Sequence, residues 1–174
     1  MQENNSKTTK KIVLMGLDNS GKSSIVLCLK GVKNLSSFSG IKPTRGFEIN
    51  KFQSLGSEFS IWDMGGQEIF REDYFKNFKN HIEGANKLIF VIDIQDRDRY
   101  EISLDYLASI IMLLGKTKVN LDFSLFLHKF DPDIEINQDE TQSLINQLKD
   151  IIPPDFPHQI FKTSIYTIFQ KSSI

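Results

Sequence analysis

The sequence holds a single cysteine, Cys28, and its 21 basic side chains almost cancel 22 acidic ones. One cysteine excludes an intramolecular disulfide framework and suits a reducing compartment, with Cys28 read as a packing residue. A net charge of −1 supplies no field to recruit nucleic acid or an acidic membrane. The longest apolar runs, KLIFVIDI and the stretch around ASIIMLLG, fall far below the roughly 20 residues of a spanning helix. MQENNSKTTK lacks the apolar core of a signal peptide, Gln2 stands where myristoylation requires glycine, and the KSSI end offers no prenylation cysteine. The expectation is a cytoplasmic protein with no stable membrane anchor of its own and no nucleic-acid partner.

What is present suffices for one domain. A chain of 174 residues buries roughly 70% of its unfolded surface, so neither metal nor disulfide is needed to hold a core. A polar, flexible segment is expected over residues 1–10, with the folded domain over 11–174. KIVLM reads as a buried strand stopped by Gly16, and Lys22 to Lys30 as a helix closed by Gly31. Residues 32–46 show no periodicity and read as a long loop, a length more often functional than idle. FEINKFQ and EFSIWDM form a hairpin across SLGS, and KLIFVID, DFSLFLHK and QIFKTS read as further strands. Leu104, Leu107, Ala108, Ile111 and Leu114 mark one amphipathic helix. Leu144, Ile145, Leu148, Ile151 and Ile152 mark another, ended by Pro153 and Pro154. Alternating strands and helices predict an α/β fold with a mostly parallel sheet covered on both faces.

GLDNSGKS, Gly16 to Ser23, matches the GxxxxGK(S/T) phosphate loop and lies between a predicted strand and a predicted helix, where that chemistry needs it. Glycines let backbone NH groups wrap phosphates, the helix N-terminus adds partial positive charge, Lys22 reaches the outer phosphates, and the Ser23 hydroxyl ligates magnesium. Thr44, 21 residues after Ser23, is a second magnesium ligand if the long loop closes over a γ-phosphate. WDMGGQ puts Asp63 at a strand end, where it holds magnesium through a water. Gly66 follows, its NH free to reach the γ-phosphate, and then Gln67, placed to orient the attacking water.

HKFD, His128 to Asp131, carries histidine where a guanine-reading loop has asparagine. A carboxylate accepts from both the ring NH and the exocyclic amine of guanine, whereas adenine presents an acceptor, so Asp131 selects guanine. Lys129 lays its stem along the base, and a ring NH of His128 takes over the donating half of the asparagine's work. Thr163, Ser164 and Ile165 stand where a backbone NH meets the base carbonyl.

In this order the motifs resemble the Ras-type small GTPases. GLDNSGKSS, PTRGF, WDMGGQ, LIFVIDIQDRDRY and the 19-residue step from Thr44 to Asp63 are similar to the Arf-like branch, while HKFD and TSIY are similar to Rag proteins. The resemblance implies a P-loop NTPase G domain of about six strands, one of them antiparallel, with a closing C-terminal helix that is short or absent. It implies that Asp18, Asn19, Ser20, Gly21, Lys22, Ser23 and Ser24 cradle phosphates. Ser23, Thr44 and Asp63 hold magnesium, Gln67 is catalytic, and His128, Lys129, Asp131, Ser164 and Ile165 hold the base.

Function is then a switch that binds GTP or GDP with magnesium and hydrolyses GTP slowly, on the order of 10⁻⁴ s⁻¹ unaided. Segments near 32–46 and 65–83 would order for effectors, exchange factors and GTPase-activating proteins, in intracellular trafficking or signalling. The alternative is a nucleotide-locked, Rag-like scaffold or heterodimer subunit, which the intact Gln67 disfavours; an adenosine-nucleotide enzyme is disfavoured by Asp131. Arg45 reads as a solvated or partner-facing arginine in preference to a built-in catalytic finger. Ile165, Ile168 and Phe169 either tolerate a missing closing helix or form a self-association patch on the C-terminal side of the sheet.

Overall fold

A computed structural model of the chain describes residues 9–32, 35–54, 56–117 and 119–165. Its strands are β1 (Thr9–Met15), β2 (Phe47–Ser54), β3 (Ser57–Met64), β4 (Ala85–Asp93), β5 (Asp122–His128) and β6 (Gln159–Thr163). They form one sheet in the order β2-β3-β1-β4-β5-β6. β2 and β3 are an antiparallel hairpin pairing Phe47 with Met64 and Ser54 with Ser57, and every other neighbouring pair is parallel. The helices are α1 (Lys22–Leu29), α2 (Leu35–Ser39), α3 (Glu68–Lys76), α4 (Phe78–Ile82), α5 (Tyr100–Thr117) and α6 (Gln138–Ile151).

Strand alternation divides the core between the two faces. Val13, Met15, Leu88, Phe90, Ile92, Leu125 and Leu127 pack with Tyr74, Phe78, Ile82, Leu107, Ile110, Leu144 and Leu148 from α3, α4, α5 and α6. Leu14, Ile89 and Val91 pack on the opposite face with Ile25 and Val26 of α1. Burial on both faces is why these strands read as unbroken apolar runs. Truncating Leu107 or Leu125, both fully buried, to alanine costs about 2–5 kcal/mol through lost contact and a residual cavity. α6 starts at Asn137, whose side chain accepts from the backbone of Asp139 at 2.9 Å and Glu140 at 3.3 Å, and it stops before the two prolines.

Two sequence boundaries are corrected. β1 begins at Thr9, not Lys11, because Thr9 and Lys10 continue the parallel ladder opposite Glu58 and Phe59. The segment 32–46 is not all loop: α2 makes a single short helix, too brief for its apolar positions to show a period. The C-terminal end, where the closing helix is expected to be short or absent, lies outside the described residues with Ile168 and Phe169, and Ile165 is half-buried.

The parallel strands all point their C-terminal ends to one edge. Turns after β1, β3, β4, β5 and β6 therefore converge there, the place where open α/β sheets receive ligands.

Candidate functional site

The turn between β1 and α1 is held open by backbone that ordinary side chains avoid. Gly16 and Gly21 have φ of +140° and +94°, and Asn19 adopts φ of +59°. Lys22 is 5% exposed, and its ammonium donates to the carbonyls of Gly16 at 3.0 Å and Leu17 at 2.6 Å. Burial lowers its pKa to about 8, against the pull of Asp63 and Asp18; an adjoining phosphate anion raises it again by stabilising the charged form. Asp18, Asn19, Lys22, Ser24, Phe38 and Pro43 are among the walls of a cleft of about 340 Å³ over this loop, within the size range of small-ligand sites. α2 and the chain after it thus roof the phosphate loop.

Three oxygens from separate elements meet at the cleft floor. Ser23 Oγ donates to Asp63 Oδ2 at 2.5 Å, Thr44 Oγ1 donates to the same oxygen at 3.3 Å, and the two hydroxyls stand 3.2 Å apart. Asp63 is 1% exposed, and its buried Oδ1 has no hydrogen-bond partner among the described residues. Burial raises the Asp63 pKa, while the Ser23 hydroxyl and Lys22 oppose that rise. Two hydroxyls and one carboxylate, one of whose oxygens is unpartnered, are a hard-oxygen donor set that fits a magnesium ion completed by waters and phosphate.

Gly65 and Gly66 are both buried, for a steric reason. A Cβ on Gly66 would overlap Asp18 N and Leu17 C and stand 2.5 Å from Gly16 O; one on Gly65 would overlap Thr44 O and stand 2.7 Å from Gly46 O. The Gly65 NH donates to Gly46 O at 2.7 Å, and the Tyr74 hydroxyl donates to that same carbonyl. Gln67 opens α3 in extended conformation and lines, with Ser23, Thr44 and Asp63, a groove that Arg45 also borders. Arg45 is exposed.

On the other side of the phosphate loop, Lys129 has φ of +66° and its ammonium pairs with Asp93 at 2.6 Å. The Asp131 carboxylate accepts from Gln95 Nε2 at 3.2 Å and from the Ser164 hydroxyl, and Gln95 Nε2 also donates to Lys129 O at 2.7 Å. His128 departs from the sequence expectation. Its ring is 2% exposed, Nδ1 lies 2.9 Å from Thr163 Oγ1, and a Cβ at Gly21 would be 2.5 Å from its Cδ2. Packed in this way, it joins β5, β6 and the phosphate loop. Burial lowers its pKa to about 4, helped by Lys129.

The phosphate-loop residues, Thr44, Asp63, Gly66 and Gln67 thus lie together at this edge, with Lys129, Asp131 and Ser164 grouped beside them. Asp93, Gln95, Arg99 and Tyr74 were given no role from sequence. The first three stand in or after the buried strand KLIFVID, at the end where such sheets bind ligands, and that position was the available signal.

A family model described as the ADP-ribosylation factor family matches residues 1–170. The chain is similar to the ADP-ribosylation factor-like protein alp41 of Schizosaccharomyces pombe, 27% identical over 164 residues that cover 94% of this chain and 77% of that protein. Its fold is similar to that of the Arl6 BBS3 small GTPase from Trypanosoma brucei, solved with the bound nucleotide analogue GppNp. That likeness has a TM-score of 0.67 and 22% identity, over 95% of this chain and 91% of the other.

Proposed function

We infer that this chain, which belongs to the ADP-ribosylation factor family of GTP-hydrolysing small GTPases, works as a magnesium-dependent switch whose phosphate sensor is the Ser23, Thr44 and Asp63 cluster. The observation that carries the reading is the convergence of those three oxygens beside the buried Lys22. Magnesium, when bound, would neutralise phosphate charge, and Ser23 and Thr44 would hold it directly while Asp63 does so through water.

The protein's own part in the chemistry is positional. Lys22 and the backbone of Asp18 to Ser24 hold the phosphates. Gly66 sits against the phosphate loop with an NH that only a side-chain-free residue can bring so close. Gln67 orients the water that attacks the γ-phosphorus, and the bond to the β–γ bridging oxygen breaks to give GDP and inorganic phosphate.

Thr44 follows α2, and Asp63 is the next-to-last residue of β3, so closing the sensor couples the segment 32–46 to the start of α3. That coupling is the switch: GTP draws both segments to the cleft, and effectors, exchange factors and activating proteins engage them there. Gln67 in the same groove as the sensor favours turnover over a nucleotide-locked scaffold. Asp131, held by Gln95 and Ser164, faces the base as the guanine reader, with Lys129 beside it and the backbone at Ile165 completing the edge.

Nucleotide extraction followed by chromatography tests the reading. GDP or GTP at about one per chain is expected; an adenine nucleotide, or none after incubation with GTP and magnesium, overturns it.

A further inference from the structure

An acidic residue inside a phosphate cradle is an electrostatic problem, and the chain has one at Asp18. Asp18 is among the residues that line the cleft with Lys22 and Ser23. Arg99, at the end of a short 3₁₀ turn (Arg97–Arg99) leading into α5, reaches across 81 residues of sequence to grip it twice. Nη1 donates to Asp18 Oδ1 at 3.0 Å, and Nη2 donates to the Asp18 carbonyl at 3.2 Å. Arg99 is itself fixed by Asp96, which accepts from Nε at 2.6 Å and pairs with Nη2. Gly66 abuts the preceding peptide, the one that joins Leu17 to Asp18.

We propose that Arg99 is a positioning residue of the nucleotide site, which neutralises Asp18 and pins its peptide so that the phosphate loop accepts a polyanion. The proposal rests on the nucleotide reading above. A guanidinium suits the task better than an ammonium, because its planar fork serves the carboxylate, the carbonyl and Asp96 at once. Without Arg99, the Asp18 charge would stand unneutralised beside the phosphates and repel them, and with its side chain 44% exposed that repulsion is screened by salt. GTP, with the additional charge of the γ-phosphate, suffers more than GDP.

Release of fluorescent GDP and GTP analogues from the full chain, with magnesium and at low and high salt, tests this. Arg99→Gln is expected to speed GDP release about tenfold and GTP release more. Adding Asp18→Asn to that variant is expected to recover most but not all of the difference, because the repelling charge is gone while the grip on the peptide is still missing. High salt is expected to slow release from Arg99→Gln while leaving the parent little changed. Arg99→Lys, a milder change for folding, keeps the charge but not the two-point grip, and should fall between. Unchanged release from Arg99→Gln, or a loss that Asp18→Asn does not repair, overturns the proposal. If the unaltered chain fails to hold guanine nucleotide, it is the nucleotide reading that falls.

Discussion

Gly66 abuts Asp18 so closely that the peptide of one leaves no room for a Cβ on the other. The obstructing atoms are the backbone of residues 16–18, which cannot swing aside as a flexible side chain would. Gly66→Ala should therefore push the start of α3 away from the phosphate loop. The lone tryptophan, Trp62, precedes Asp63 and stacks on Phe47 at 5.3 Å, so its emission reports on this region. The expected outcome is that GTP and GDP forms of Gly66→Ala give the same Trp62 emission, whereas those of the unaltered chain differ.

Gln67→Leu keeps a side chain of similar size without branching at Cβ but loses both polar atoms that could hold a water. Single-turnover hydrolysis is expected to slow on the order of tenfold or more, with guanine-nucleotide affinity retained. Equal rates for the two proteins would remove Gln67 from the chemistry.

Asp131→Asn exchanges one of two acceptors for a donor. Preference should move from guanine to xanthine nucleotides, since xanthine has a carbonyl where guanine has its amine. Competition of GTP and XTP for the site measures it, and a variant still preferring GTP would show that another group reads the base.

His128 predicts a pH dependence. Its pKa is about 4 when folded against 6.5 ordinarily, so between those values the unfolded chain binds a proton that the folded chain refuses. Stability then falls as pH drops from about 6.5 to about 4, and this group contributes no further change below that. At 2% exposure the effect is on the order of 3 kcal/mol. His128→Asn should cost only about 1 kcal/mol near pH 7 and remove that share of the acid loss. Urea midpoints of both proteins at pH 7 and pH 4.5 check it; parallel losses would mean that His128 does not carry the effect.

Much of this protein is determined locally. KIVLM followed by GLDNSGKS, and EFSIWDM followed by GGQ, declare strand, turn and helix start within a few residues, because glycine backbone freedom, apolar runs and helix entry are local properties. Phosphate chemistry was legible for the same reason, since Lys22 and Ser23 sit on the turn that holds them. Asp131 was legible from its hydrogen-bonding type alone.

Tertiary structure decided what depends on packing between distant segments. That Ser23, Thr44 and Asp63 share one spot follows from β1 pairing with β3 and from α2 setting down Thr44, and no spacing in the sequence fixes those distances. The same holds for His128, which sequence chemistry assigns to the base and the fold turns into a buried tie between Gly21 and Thr163. Arg99 is the clearest instance: on the chain it is one charge in DRDRY, indistinguishable from a solvated one. It acquires a role only when β4 lies beside β1 and brings the start of α5 against the phosphate loop.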